Sequence, residues 1–180
     1  ESAPHLGQDL PTIAGLADSV YVSLYKTLGG LAGSALAGPT DFVAEARAWR
    51  HRYGGNVAQP WPVALAALAG IDTELPRLAS YVAQAKVVAS ALAELPGARV
   101  HPHPPHTHQF QMWLPYSAES LNEAAFALAE EEKIWFAGIW VDRPPTGLSI
   151  TEVTVASPAL EFSADDVAAA GAAFLDRIPA

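Results

Sequence analysis

The sequence predicts an α/β chain in two parts: a lysine-bearing portion over residues 1–90, ending in a long connecting helix, then a small α+β domain over 91–180. Three observations carry this. Ser19 to Tyr25 is an apolar, β-branched run that reads as a strand and delivers Lys26 into a glycine-rich turn. Alanines and leucines then recur at helical spacing until Pro96-Gly97 stops them. From Ala98 onward the order becomes strand, strand, helix, strand, strand, helix, which suits a sheet covered by helices on one face.

In chain order, residues 1–16 are polar and proline-containing, with a short helix expected after Asp9. Ser19 to Tyr25 is apolar at both parities, the pattern of a strand covered on both sides. Gly33 to Gly38 reads as a second short buried strand. Pro39-Thr40-Asp41 opens a helix over about 41–53, closed by Tyr53-Gly54-Gly55. Pro60 to Ala69 reads as a helix in spite of Pro62, which fits its first turn. Asp72 opens the longest helical stretch, running to Leu95. Ala98 to His101 and Gln109 to Leu114 alternate like strands. Ser117 caps an amphipathic helix that runs to Glu132. Ile134 to Val141 and Leu148 to Val155 are further strands, and Ser163 caps a last helix over about 164–176.

Charged residues make up only 16% of the chain and hydrophobic ones 51%, so there is material for a core and no compositional case for disorder. The net charge of −9 argues against a nucleic-acid or anionic-membrane partner. Cysteine is absent, which excludes disulfide and thiol chemistry. No apolar stretch reaches membrane-spanning length and no leader pattern opens the chain, so a soluble, cytoplasmic protein is expected. The chain starts without Met and reads as though cut from something longer.

Lys26 is the first candidate for chemistry. Burying an ammonium is costly unless it is paired, deprotonated or used. A lysine at this place either snorkels at a strand end or forms an imine with a planar ligand. Gly29, Gly30 and Gly33 allow close approach where a Cβ would collide, and Ser23 or Ser34 can donate to a phosphate.

The pattern Ala17-Asp18-Ser19-Val20-x-Val22-x-Leu24-x-Lys26-x-Leu28-Gly29-x-x-x-Gly33-Ser34-x-Leu36-x-Gly38 resembles the cofactor-lysine segment of the threonine aldolase and β-eliminating lyase family. The resemblance continues from Phe42 through Arg47, Arg50 and Arg52 to Gly54-Gly55 and Gln59, and is specific over residues 15–70. It implies the C-terminal part of a pyridoxal-phosphate (PLP) fold type I large domain followed by a small C-terminal α+β domain. It also implies that Lys26 carries the PLP and shuttles a proton at the substrate α-carbon, with Ser23 beside the cofactor. At least a dimer is implied as well.

Departures from the family pattern are specific. The Asp-Gly-Ala-Arg motif, the phosphate cradle and the ring-stacking His that precede the lysine in the family are not in these 180 residues. A missing N-terminal half is therefore expected to supply them. Ala58 stands where the family has Arg between Gly-Gly and Gln, and Ser149 where a carboxylate-binding Arg is expected. Losing a bidentate clamp of that kind changes how an amino-acid carboxylate is held. Arg143 is the candidate substitute.

Other clusters read more blandly. His101, His103, His106 and His108 have the density of a zinc or nickel site, but intervening prolines and the lack of a nearby Cys or carboxylate favour a polar hairpin loop, so no metal is expected. Arg47, Arg50 and Arg52 read as a solvated helix face, with phosphate contact across a dimer interface as the sharper alternative. Glu130 to Glu132 reads as a solvated helix end and Asp165-Asp166 as dipole compensation. The function expected is the lysine-bearing portion of a PLP-dependent lyase cleaving the Cα–Cβ bond of a β-hydroxy amino acid such as threonine. It should be inactive without its other half. The alternatives are β-elimination on another amino acid, or a non-catalytic binding or assembly module.

Overall fold

The computed structural model of the chain describes residues 2–179. It divides into two compact units, Leu6–Leu78 and the segment up to His5 together with everything from Ala79.

The first unit begins with α2 (Leu10–Ala14), which follows the short α1 (Ala3–Leu6) at the start of the chain. The Asp9 side chain caps α2 by accepting from the Thr12 N–H at 2.8 Å. Strands β1 (Val20–Ser23) and β2 (Ser34–Ala37) form an antiparallel ribbon with Val20 opposite Ala37 and Ser23 opposite Ser34. Helices α3 (Thr40–Arg52) and α4 (Trp61–Thr73) follow. The expectation that both strands are buried is corrected here. Tyr21 is 59% and Val22 42% exposed, and all of β2 is exposed, because a two-stranded ribbon has no second layer among the described residues to cover its faces.

The expected long helix from Asp72 is also corrected. Asp72 lies in the last turn of α4, a 3-10 turn spans Leu75–Arg77, and α5 runs Leu78–Ala93. Pro76 accounts for the break: without an N–H it cannot donate to the carbonyl four residues back. Helix α5 buries Tyr81, Val82, Ala85, Val88, Ala89 and Leu92, a stripe at helical spacing. Four of these enter the core of the second unit.

The second unit is a four-stranded antiparallel sheet in the order β3 (Arg99–His101), β4 (Gln109–Leu114), β6 (Leu148–Thr154), β5 (Val141–Arg143). Helices α6 (Ala118–Glu132) and α7 (Ala164–Leu175) complete it. Phe110, Met112 and Leu114 alternate along β4 into the core, where they meet Leu121, Leu128 and Phe174. Helix α7 starts with a capping box in which Ser163 accepts from the Asp166 N–H and the Asp166 side chain accepts from the Ser163 N–H.

Ile134 to Trp140 is not a strand. At its end, the Asn122 side chain accepts from the Trp140 N–H at 2.9 Å and donates to its carbonyl at 3.1 Å, so the Trp140 backbone is satisfied by a helix side chain and not by a ladder. Glu131 and Glu132 are not simply solvated either. The Arg177 guanidinium bridges them at 2.7 and 2.6 Å, offsetting two of the acids at the α6 C-terminus.

Candidate active site

The lysine turn is built almost entirely from backbone. After β1 the chain bends, and the Leu24 N–H donates to the Gly33 carbonyl at 3.1 Å while the Gly30 N–H donates to the Leu24 carbonyl at 2.8 Å. Within this closed loop the Gly29 N–H donates to the Lys26 carbonyl at 2.8 Å, a tight turn whose last residue sits at φ +68°. Gly30 is buried, and a Cβ there would lie 2.5 Å from the Leu24 oxygen. The loop's glycines therefore serve closure of the lysine turn itself.

Helix α4 backs this turn. Gly70 is buried, and a Cβ on it would run into the carbonyl oxygen of Leu28. A Cβ on Gly30 would come within 3.4 Å of the Ala67 Cα. Two small residues one turn apart thus let the helix backbone touch the lysine turn directly. The signal is visible in the sequence as a lone glycine inside an Ala/Leu helix.

Lys26 itself is exposed, not desolvated, so its amine is open to a ligand. Ser23 is half-buried and faces Ser34 across the ribbon. Tyr21 lies on the same face of β1 as Ser23, and hydrogen bonds from Ser23, then Ser34, hold its phenol below its ordinary value against the opposing effect of burial; Tyr25 and the positive charge of Lys26 add to this. The structure thus brings Lys26 and Ser23 together in one unit, with Ser34 and a tyrosine that the sequence gave no reason to single out. An exposed amine and the hydroxyls of the same ribbon are the donor types that suit an aldehyde- and phosphate-bearing cofactor.

Arg143 stands in the other unit, exposed on the β5–β6 hairpin. It borders a cavity of about 410 Å³ with Tyr116, Ser117, Asp142 and Ser149. Ser149 is fully buried, and its hydroxyl lies 2.7 Å from the Tyr116 carbonyl and 2.8 Å from Asp142 Oδ1. Both neighbours are acceptors competing for one proton, so Ser149 has no donor left for a substrate carboxylate.

Asp142 also accepts from the Ala118 N–H at 2.8 Å, reinforcing the Ser117 cap of α6. That N–H, then the Ser149 hydroxyl, hold the Asp142 carboxyl below its ordinary value of 3.8. A lowered carboxyl contributes stability above its unfolded-state value that disappears as pH falls through the folded one. The urea midpoint of the wild type should therefore fall more steeply on acidification below the ordinary Asp value than that of Asp142→Asn.

The histidine loop does not converge. His108 is buried, while His101, His103 and His106 are exposed and His106 stacks on His5 at 4.1 Å. Among the described residues no group of three or more His, Cys, Asp or Glu side chains could hold a metal ion. Arg47, Arg50 and Arg52 are exposed, with Arg52 4.9 Å over the Trp49 ring. No helix among the described residues is long and apolar enough to cross a membrane.

Comparison with known proteins bears on this arrangement. A family model described as β-eliminating lyase matches residues 1–113. The chain is 34% identical over 96 residues to low-specificity L-threonine aldolase 1 of Arabidopsis thaliana, which covers 53% of this chain and 27% of that protein. A solved structure from Exiguobacterium sp. 255-15, described as an aromatic amino acid β-eliminating lyase/threonine aldolase, superposes with a TM-score of 0.89 at 32% identity, covering 98% of this chain and 49% of the other. A structure from Listeria monocytogenes EGD-E described as an L-allo-threonine aldolase gives 0.88 at 28% identity over the same shares. The chain thus spans about half the length of the solved structures it matches.

Proposed function

Because the chain belongs to the β-eliminating lyase family, whose members are PLP-dependent, we propose that it is the lysine-bearing portion of a lyase that cleaves a β-hydroxy-α-amino acid such as threonine. In this reading Nζ of Lys26 is the attachment atom for the cofactor's aldehyde. The observation that carries it is the closed glycine turn, seated on α4 through Gly70, which presents the exposed Lys26 at the end of the ribbon that pairs Ser23 with Ser34. The cofactor, when bound, supplies an electron sink for the pair left on the α-carbon.

The reaction then balances without an external oxidant. The β-hydroxyl gives up its proton to water, the Cα–Cβ bond breaks, and Cβ leaves as an aldehyde. The electron pair remains at Cα, where Lys26 delivers a proton and glycine results. Ser23 and Ser34 orient the cofactor's polar edge through their hydroxyls. Ser149 has no free donor with which to hold a substrate carboxylate.

Half-length coverage of the solved relatives supports a further segment completing the site, and the working protein is read as a homo-oligomer. The 180-residue chain alone should accordingly leave threonine intact. Supplying the complete protein with PLP and a panel of amino acids tests the reaction class. Glycine and an aldehyde are expected from the β-hydroxy amino acids. Pyruvate and ammonia from serine, with no aldehyde from threonine, would replace cleavage by β-elimination.

A further inference from the structure

The second unit holds a cavity of about 690 Å³ that the proposed chemistry leaves unused. Its floor is core: Val88 and Leu92 of α5 and Val155, just past β6, are all buried, and Phe136 and Val167 add half-buried apolar walls. The volume lies within the range of small-molecule pockets, and an apolar hollow of this kind holds water poorly. Two contacts keep it open. Gln84 of α5 donates to the Ala159 carbonyl at 3.0 Å and to the Phe162 carbonyl at 2.7 Å, pinning the 3-10 turn Ser157–Glu161 that forms one side. Phe136 stacks on Phe174 at 4.8 Å and is thereby held against the core instead of filling the space.

The mouth is marked by Trp135 and Phe162, both more than half exposed, and by the exposed Lys133. Lys133 sits at φ +62°, the left-handed position that glycine usually takes at a helix C-terminus. Its ammonium donates to the Glu130 carbonyl at 2.7 Å, which leaves further N–H groups of that ammonium without an acceptor among the described residues. The two acids on the rim are already engaged. Glu132 accepts from Arg177 at 2.6 Å, and Asp166 belongs to the capping box of α7. Lys133 is thus the charged group at the cavity with donors to spare.

We propose that this cavity binds a small aliphatic carboxylic acid, its chain against Val88, Leu92 and Val155 and its carboxylate at Nζ of Lys133. A floor of valine and leucine side chains suits an alkyl chain, and spare ammonium donors suit an anion. A protein segment would bring peptide N–H and C=O groups that such a floor cannot satisfy. Every residue involved belongs to the second unit, so the proposal does not rest on the reading of Lys26.

Calorimetric titration of the full chain with butyrate, hexanoate and octanoate tests it. Affinity should rise about fourfold for each methylene added. Ala170→Phe, which puts a ring into the cavity, should abolish binding. Lys133→Gly suits the left-handed backbone and should keep the fold; octanoate should weaken about fivefold, the scale of one exposed charge pair, while octanol is unchanged. Affinity that does not grow with chain length, or that survives Ala170→Phe, overturns the proposal. Equal losses for octanoate and octanol in Lys133→Gly, or no loss for either, contradict the carboxylate's place. If Ala170→Phe unfolds the unit, the length series and Lys133→Gly decide alone. Sedimentation covers the other occupant: a dimer that Ala170→Phe turns into a monomer would make the cavity the seat of a second copy and overturn the small-molecule site.

Discussion

Replacing Lys26 with alanine should lower kcat/KM of the complete enzyme at least about 10³-fold, within the range for a positioned proton-transfer group. Two functions disappear together. The amine that anchors the cofactor's aldehyde is gone, and so is the proton carrier at the α-carbon. The fold should survive, because Lys26 is exposed and the turn around it is closed by backbone bonds from Leu24, Gly29 and Gly30. Far-ultraviolet circular dichroism and the urea midpoint should thus match the wild type while activity collapses. Arginine at position 26 keeps the charge but cannot form the bond and should be equally inactive. Lys86→Ala and Lys133→Ala, on α5 and at the end of α6, should remain active.

The second large effect is structural and rests on Gly70. Alanine normally favours a helix interior over glycine by roughly 1 kcal/mol. At Gly70 its Cβ would meet the Leu28 carbonyl, which belongs to the backbone and can move only if the lysine turn moves. Overpacking of this kind costs about 1–3 kcal/mol, enough to outweigh the propensity gain. Gly171 in α7 is an internal control. A Cβ there would lie 2.6 Å from Leu95 Cδ1, a side-chain methyl that can rotate away. Gly171→Ala should therefore cost less than Gly70→Ala. Hydrogen exchange should show protection lost at Gly29 and Gly30 in Gly70→Ala alone, because displacement of Leu28 opens the bonds those amides make.

Much of the architecture was legible because it depends on local signals. Ser117 and Ser163 announced α6 and α7 through their caps, and the alternation of Phe110, Met112 and Leu114 marked β4. What was misread depends on partners distant in sequence. Ile134 to Trp140 has strand composition, yet it joins no ladder and Asn122 takes the backbone bonds of Trp140. The apolar run of β1 suggests a buried strand, but burial depends on a second layer that no local pattern reveals.

The site divides in the same way. Lys26, Ser23 and the glycine spacing could be read directly, since tight turns restrict residue type. The lone glycine at position 70 is visible in the sequence, but the turn it supports is not, because that depends on α4 meeting a segment some forty residues earlier. Ser149 was flagged as a lost guanidinium. Its actual employment, between Asp142 and the Tyr116 carbonyl, needed the sheet and the α6 N-terminus together.

The sequence contains three lysines, Lys26, Lys86 and Lys133, which makes the central claim directly measurable. The chain is incubated with one equivalent of PLP, reduced with borohydride, digested, and mapped by mass spectrometry. The account predicts the pyridoxyl adduct on the peptide carrying Lys26, in clear excess over the other two. Even labelling of the three lysines, or labelling that spares Lys26, would contradict it.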